Sequence, residues 1–318
     1  MTKPLCIHHH PCADGFMSAL AVWRYFKGEV DFHPGKYGAA PPLAKVAGRD
    51  VIIVDFSYSR DALINMADNA RTMLVLDHHV SAQRDLEADN NYICDLRKYS
   101  GVIDWRRVQE FRDQDQMEGV PYARVYALFD MDRSGAGIAW DFFLDYRPPL
   151  VNHVEDRDLW RFALPGTREI QAALFSYPYD FELWDKFTSD SYDASFLKTM
   201  AEGGRAIMRK QMKDTRELIE SNLQWFMIDG YLTPTLNIPY AMGSEACNLL
   251  LETIQTNMAA YYTDGQKSTS WGLRSVKGLD SSAIAKKFGG GGHAQACGFN
   301  IKHGSAPGAQ LMRVDAPS

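Results

Sequence analysis

Histidine and aspartate are concentrated in three short clusters in the first quarter of the chain. The clusters are 8–15 (HHHPCADG), 55–57 (DFS) and 77–79 (DHH), and a fourth, acidic cluster lies at 155–158 (EDRD). Imidazole nitrogens mixed with several carboxylate oxygens suit Mn²⁺, Fe²⁺, Zn²⁺ or Co²⁺ better than Ca²⁺. Because there are more carboxylates than one ion needs, the pattern favours two ions, ~3.5–4 Å apart, that share a bridging aspartate.

Each of the first three clusters directly follows a predicted β-strand. The strands are short apolar runs at 5–9, 51–54 and 72–76, and helices are predicted at 16–26 and 60–67. Strands that alternate with helices indicate a parallel sheet with helices on both faces, and ligands gather at the carboxyl ends of such strands. Taken singly, an aspartate after a strand is usually a helix cap, and a lone histidine is usually a core residue. Four clusters in order favour one shared metal site instead.

The later part of the chain predicts more helix and a second group of strands. Polar residues 81–133 are interpreted as an insertion with some helix, and Ser134 as the cap of a helix at 134–146. Further helices are predicted at 150–159, 193–224 (interrupted at Gly203 and Gly204) and 280–288, and strands at 225–228, 257–263, 269–276 and 296–301. The long helix is the expected connector between two domains. We therefore predict a catalytic domain at 1–180 and a second domain at 181–318, which begins with the connector helix.

A run of four glycines at 289–292, followed by His293, is the second candidate site. Successive backbone N–H groups of glycines can approach an anion closely. His293 can donate to a phosphate oxygen, and Arg274 on the preceding strand can bind phosphate through two nitrogens. Residues 265–302 contain six Lys and Arg against one Asp. A glycine run alone is more often a flexible loop, but with Arg274 and basic surroundings it favours a phosphate-binding loop.

The composition is that of a globular protein. The 318 residues are 46% hydrophobic and 23% charged, which excludes a disordered, collagenous or low-complexity chain. The net charge of −6, divided as −8 over 1–190 and +2 over 191–318, argues against a protein that coats polyanions. No run reaches the ~18 apolar residues of a membrane span, and the N-terminus lacks the apolar segment of a signal peptide. Five cysteines without a CxxC pair argue against a disulfide framework, so we expect a cytoplasmic protein with no membrane partner.

In their order along the chain, these motifs resemble the DHH/DHHA1 phosphoesterase family. The order is Asp14, Asp55, Asp77-His78-His79 and Asp156, followed by Arg274-Ser275 and GGGGHAQACGF. The similarity covers about residues 5–79, 133–163 and 268–300, and is of the RecJ-like or oligoribonuclease-like type with a Cys-x-Asp-Gly loop. The resemblance implies an α/β protein with an N-terminal parallel-sheet DHH domain, a smaller C-terminal α/β DHHA1 domain and an active-site cleft between them.

The resemblance also implies a role for each matching residue. Asp55 would bridge two metal ions; Asp14, His78 and Asp156 would complete the site of one ion. Either His8 or His9 would hold the other ion, because the family spaces this histidine in two ways. Asp77 would orient a histidine, and His79 would face the scissile phosphate. The rest of the substrate would be held by Arg274, Gly290, Gly291, Gly292 and His293.

Cys12 departs from the pattern of most of the family, which has an aspartate there. As a thiolate ligand it would favour Zn²⁺ or Fe²⁺ over Mn²⁺. As a small residue that is easily buried, it would instead point away and leave one ion with fewer ligands. The sequence leaves both alternatives open.

The implied function is metal-dependent hydrolysis of phosphodiester bonds in short or single-stranded oligonucleotides, or in small nucleotides, from an end. The expected cofactors are two divalent ions, Mn²⁺ first, with Zn²⁺, Fe²⁺ or Co²⁺ as alternatives. The expected partner is a short single-stranded nucleic acid or a small phosphorylated nucleotide, and the oligomeric state is left open.

Two other functions compete with this one. A phosphatase of polyphosphate or of bisphosphorylated nucleotides would use the same motifs; base-stacking aromatic residues, for which Trp271, Tyr261 and Tyr262 are candidates, would favour nucleotides. A non-catalytic nucleic-acid-binding accessory protein with a degenerate metal site is supported only by Cys12.

Overall fold

The computed structural model describes residues 2–36, 38–87, 92–120, 124–304 and 311–316. The chain divides into two units, Met1–Ile207 and Met208–Ser318. Within the described residues, none of the helices combines the length and apolar character needed to cross a membrane.

Six parallel strands form the sheet of the first unit. They are β1 (Leu5–His9), β2 (Asp31–Gly35), β3 (Asp50–Val54), β4 (Thr72–Asp77), β5 (Ile93–Asp95) and β6 (Val125–Phe129). The strand order is β2-β1-β3-β4-β6-β5, and every neighbouring pair is parallel. Since β1, β3 and β4 are adjacent, the residues that follow them meet at one edge of the sheet. The predicted fold class of this unit is confirmed.

Helices cover both faces of this sheet. They are α1 (Ala13–Tyr25), α2 (Leu43–Val46), α3 (Arg60–Ala67), α4 (Val80–Glu87), α5 (Trp105–Met117), α6 (Gly135–Leu144), α7 (Pro149–Asp158), α8 (Thr167–Leu174), α9 (Phe181–Asp190) and α10 (Ala194–Asn222). Alternate residues of each strand point to opposite faces. Ile52 and Leu74 therefore pack into one core with α1 and α6, whereas Ile53 and Val75 pack into another with α3.

The second unit is a smaller mixed α/β domain. Its strands are β7 (Gln224–Ile228), β8 (Tyr231–Asn237), β9 (Met258–Asp264), β10 (Ser268–Ser275), β11 (Gly291–His293), β12 (Ala296–Lys302) and β13 (Leu311–Val314), in the order β11-β12-β10-β9-β8-β7-β13. Strand β8 pairs with β9 in parallel, and the other neighbouring pairs are antiparallel. Two helices, α11 (Tyr240–Ile254) and α12 (Ser281–Lys287), complete it.

The segment interpreted as an insertion contains part of the main sheet. Strand β6 pairs with β4 from Val125 to Phe129, and β5 pairs with β6. The sequence analysis missed β6 because its five-residue apolar run follows a long charged stretch and was grouped with that stretch.

The predicted interruption of the long helix was wrong, because α10 runs through Gly203 and Gly204 without a break. A Cβ on Gly204 would lie 1.8 Å from the carbonyl oxygen of Glu169, in α8, whereas a Cβ on Gly203 would meet nothing within 4 Å. Gly204 is therefore a point of close backbone approach between two helices.

We expect Gly204→Ala to destabilise the first unit, by ~1–3 kcal/mol in the free energy of unfolding, because the added methyl group must push α8 away. Gly203→Ala is the matched control. It should stabilise the helix by ~0.5–1 kcal/mol, since its position is open. Urea unfolding of the two variants measures both changes; equal effects would contradict the close approach.

Candidate metal centre

The carboxyl ends of β1, β3 and β4 bring predicted site residues into contact around His78. Its Nε2 lies 3.1 Å from Asp55 Oδ1 and 3.9 Å from Asp14 Oδ2. The other oxygen of Asp55, Oδ2, lies 3.6 Å from His9 Nδ1. Asp55 therefore lies between the two histidines and presents one oxygen to each, which is the geometry that a bridging carboxylate requires.

Of the two histidines that the sequence left open, the structure places His9 beside Asp55. His8 is buried, its Nδ1 lies 3.1 Å from the carbonyl oxygen of His9, and its ring packs edge-on against Phe16 and Phe32. Burial lowers the pKa of His8 to about 4. Successive strand residues face opposite sides, so only one of the pair can join the cluster.

Glycine at the start of α6 lets the carboxylates approach this helix. A Cβ on Gly135 would lie 2.4 Å from Asp55 Cβ and 2.9 Å from Asp14 Oδ2. The backbone N–H of Ala136 donates to Asp14 Oδ1 at 3.1 Å, and the predicted cap Ser134 accepts from Gly137 N–H. The first turn of α6 thus orients Asp14.

Asp77 organises the two histidines that follow it. Its Oδ1 accepts from the backbone N–H of His78 at 2.8 Å and from His79 Nδ1 at 2.6 Å. Burial lowers the pKa of His79 and the Asp77 carboxylate raises it, with a net rise. Asp77 therefore fixes the orientation of the His79 ring.

The structure does not bring Asp156 into the cluster, and Asp158 lies there instead. The Asp156 carboxylate accepts from the backbone N–H groups of Ala163 (2.8 Å) and Leu164 (3.0 Å) and from Thr167 Oγ1 (2.6 Å). Asp158 Oδ2 lies 3.6 Å from His78 Nε2. The structure therefore differs from the assignment that the resemblance implied. The Asp156 carboxylate holds a loop, and the carboxylate of Asp158, two residues later, reaches the cluster.

The electrostatics of the cluster favour a bound cation. Oδ2 of Asp14, of Asp55 and of Asp77 is buried and has no hydrogen-bond donor among the described residues. Burial and the carboxylates of Asp158 and Asp55 raise the pKa of Asp14 well above its usual range. Burial lowers the pKa of His78, but the surrounding carboxylates outweigh it and raise that pKa well above its usual range. Buried carboxylate oxygens that accept no hydrogen bond fit the binding of divalent cations.

Two groups of three donor atoms adjoin each other at this edge of the sheet. One is Asp14, His78 and Asp158, and the other is His9, Cys12 and Asp55. A further group joins Asp55 and His78 to Asp77 and His79, and within each group the donor atoms lie within 4.8 Å of one another. Burial, followed by the Asp55 carboxylate, raises the pKa of the Cys12 thiol well above its usual range. The Cys12 sulfur thus lies beside two donors rather than pointing away.

Arg274 of the predicted anion site is held in place within the second unit. Its guanidinium donates to Ser244 Oγ (2.6 Å) and to the carbonyl oxygen of Leu273 (2.8 Å), and lies over the ring of Tyr261. Ser244 gave no signal in the sequence.

Two of the four glycines, Gly290 and Gly292, pack closely against β12, whereas Gly289 and Gly291 have open space around them. A Cβ on Gly290 would lie 2.0 Å from the carbonyl oxygen of Gly298. Gly291 and Gly292 open β11, which pairs with β12, and Gly292 has φ +135°. His293 is the exposed end of that strand.

The aromatic residues proposed for base stacking belong to the core of this unit. Tyr261 and Trp271 are buried, and Trp271 stacks between Tyr262 and Phe299 at centroid distances of 4.8 and 5.9 Å. These residues are not available to a nucleobase.

Comparison with known proteins agrees with these features. Residues 231–313 match the DHHA1 domain family. An uncharacterized protein of Acanthamoeba polyphaga mimivirus, R106, is 26% identical in an alignment 315 residues long. The alignment covers 92% of this chain and 66% of that protein's length.

Two solved structures are similar. The DHH domain of a member of a family of ribosomal proteins has a TM-score of 0.56 at 13% identity, over 95% of this chain and 83% of that one. A pGpG-specific phosphodiesterase of Vibrio cholerae, PggH, has a TM-score of 0.42 at 13% identity, over 95% and 94%. The match of residues 231–313 supports the predicted DHHA1 domain, and the fold shared with the DHH-domain structure confirms the predicted fold class; the subfamily stays a prediction.

We expect Asp158→Asn to lower metal affinity by more than the ~10–100-fold typical of residues that only support a ligand. Asp156→Asn is the matched control: it should keep the metal but lower the free energy of unfolding by ~1–3 kcal/mol, since it weakens buried hydrogen bonds. Bound Mn²⁺ measured by mass spectrometry, with urea unfolding, separates the two. Loss of metal in Asp156→Asn alone would restore the original assignment.

We expect Cys12 to bind metal as a thiolate. Loading with Co²⁺ should then give a sulfur-to-cobalt charge-transfer band in the near ultraviolet, since soft thiolate ligands bind such ions. Cys12→Ala should abolish the band, and the control Cys94→Ser, in β5, should keep it. A wild-type protein that binds Co²⁺ without the band would show that Cys12 is not a ligand.

Proposed function

We propose that this DHH/DHHA1 chain is a metal-dependent phosphoesterase that hydrolyses short or single-stranded oligonucleotides, or small nucleotides, from an end. The observation that carries the proposal is the buried cluster around Asp55. It combines two histidines with several carboxylates, and three of the carboxylate oxygens lack a hydrogen-bond donor among the described residues. A buried arrangement of this kind is costly unless a cation completes it.

The two groups of donors suggest how two ions would be held. We propose that Asp14, His78 and Asp158 hold one ion and that His9 and Cys12 hold the other, with Asp55 shared between them. Bound divalent cations supply a lowered pKa of water, toward ~7, and stabilise negative charge on phosphoryl oxygens. Mn²⁺ is the expected metal, and a Cys12 thiolate would widen the choice to Zn²⁺ or Fe²⁺.

His79 is proposed to contact the scissile phosphate. Asp77 holds its Nδ1 at 2.6 Å, so the ring presents Nε2 as its second hydrogen-bonding position. A donor that is already oriented needs no rearrangement when negative charge develops on the phosphoryl group. The rise in the pKa of His79 that Asp77 causes favours the imidazolium form, in which Nε2 carries a proton that it can donate.

Arg274 and His293 are proposed to bind the rest of the substrate. In the antiparallel register, Ala296 of β12 lies opposite Arg274 of β10 and opposite His293 of β11. Side chains in one row across neighbouring strands point to the same face. The small Ala296 therefore leaves a space flanked by a guanidinium and an imidazole, which suits an anion. Gly290 and Gly292 allow the chain to lie close against β12 at this point.

We expect Asp55→Asn to reduce hydrolysis by more than ~10³-fold, beyond the ~10²–10³ lost with a single oxyanion-hole donor, because it removes the shared ligand. Asp61→Asn, at an exposed helix position, is the control and should keep full activity. Both variants should unfold like the wild type. A well-folded Asp55→Asn protein with wild-type turnover would contradict the bridging role.

A panel of substrates tests the function itself. Mn²⁺-loaded protein is assayed against short RNA, short DNA, cyclic dinucleotides, bisphosphorylated adenosine and polyphosphate. Preferred hydrolysis of a nucleic acid or dinucleotide supports the proposal. Preferred hydrolysis of polyphosphate would favour the phosphatase alternative, and metal binding without any turnover would favour a non-catalytic protein.

A further inference from the structure

Two arginines and three aromatic rings contact one another on the first unit, in the segment around and after Asp158. This arginine–aromatic surface consists of Arg157, Trp160, Phe162, Arg168 and Phe175. The Arg168 guanidinium lies 3.6 Å from the centroid of Phe162 and 5.9 Å from that of Trp160. Arg157 lies 4.6 Å from the centroid of Phe175 and 6.0 Å from that of Trp160. The surface therefore alternates flat apolar faces with fixed positive charge.

Much of this aromatic area is open to solvent. Trp160 is 43% exposed and Phe175 is 39% exposed. A depression of about 250 Å³ is lined by residues 162–169, which include Phe162 and Arg168 of the same surface. This volume is just below the ~300 Å³ at which sites for drug-sized ligands begin, and it suits a smaller flat group such as one base.

The segment that carries the rings is strained and held in place. Trp160 and Phe162 have φ of +54° and +48°, a region that bulky residues rarely adopt. The buried Asp156 fixes the segment: its carboxylate accepts from Ala163 and Leu164, and its backbone carbonyl accepts from Arg161 and Phe162. Strain maintained by surrounding structure is characteristic of functional segments.

Charge and position indicate what the surface binds. The first 190 residues carry a net charge of −8, yet Arg157, Arg161 and Arg168 gather within twelve residues. Trp160 follows Asp158, a member of the metal centre, by only two residues. A ligand that brings both an anionic backbone and flat apolar groups to this place matches the surface.

We propose that the arginine–aromatic surface binds single-stranded nucleic acid, with one nucleobase stacked on Trp160 and a neighbouring phosphate held by Arg157 or Arg168. The choice of this ligand rests on the proposed function. Stacking on an aromatic face is tolerant of sequence because every base has a π-face, so the surface would select nucleic acid over polyphosphate without selecting a sequence. It would supply the stacking that Tyr261 and Trp271, buried in the second unit, do not.

Binding of a short fluorescein-labelled oligothymidylate to the full chain tests the proposal. Fluorescence anisotropy is measured in EDTA, so that no strand is cut, and at constant salt, because phosphate contacts depend on it. The proteins compared are the wild type, Trp160→Ala, Trp160→Phe and Tyr192→Ala. Tyr192 is another exposed aromatic of the same unit, 61% exposed, and serves as the matched control. An abasic strand of equal length is the second probe.

We expect Trp160→Ala to weaken binding of the oligothymidylate about 5- to 150-fold, the range for loss of one stacked base. Trp160→Phe should recover most of the affinity, which also guards against misfolding, and Tyr192→Ala should change nothing. The abasic strand should bind equally to the wild type and to Trp160→Ala. Unchanged affinity in Trp160→Ala, or an equal loss for the abasic strand, would overturn the stacking role.

Hydrolysis measured in Mn²⁺ keeps this proposal distinct from the proposed function. A wild-type protein that binds strands through Trp160 but hydrolyses neither strands nor small nucleotides would refute the phosphoesterase and retain the surface. If Trp160→Ala cleaves oligonucleotides with the same KM as the wild type, the phosphoesterase is retained and the role of the surface is refuted.

Discussion

The constraint on which this structure depends is the burial of several carboxylates at one sheet edge. Asp14, Asp55 and Asp77 are almost fully buried, and like charges this close raise one another's pKa values. Burial alone would raise the pKa of Asp55, yet the neighbouring imidazoles of His78 and His9 bring it below its usual range. The positive charge that these carboxylates require is what makes this edge a candidate metal centre.

Much of the surrounding fold serves to bring these groups close together. Adjacent strands β1, β3 and β4 end at the same level, and Gly135 lets the start of α6 approach Asp55 and Asp14 to a distance that no side chain would permit. Asp77 uses one oxygen to orient the His78 backbone and the His79 ring. Supporting contacts of this kind orient the side chains that would bind a metal.

The end of α7 connects the metal centre with the arginine–aromatic surface. The two aspartates of the 155–158 cluster have different contacts. Asp158 faces His78, and Asp156 holds the loop that carries Trp160 and Phe162. Because residues two apart on a helix point in directions about 200° apart, one turn can serve both sides. Within the first unit, positioning of the metal and presentation of the aromatic rings thus depend on the same few residues.

The sequence by itself determined the fold class, the strands whose ends form the candidate metal centre and most of the residues that gather there, because apolar runs and the polar residues that end them are local patterns. It also predicted Ser134 as a helix cap. Tertiary structure decided between His8 and His9, which the sequence left open, and placed Asp158 at the cluster where the resemblance implied Asp156. His8 and His9 alternate on a strand, and Asp156 and Asp158 lie on opposite sides of a helix. Which side faces the cluster depends on how β1 and α7 pack. Strand β6, the continuity of α10 at Gly204 and the exposure of Trp160 likewise follow from contacts between distant segments, which no local pattern encodes.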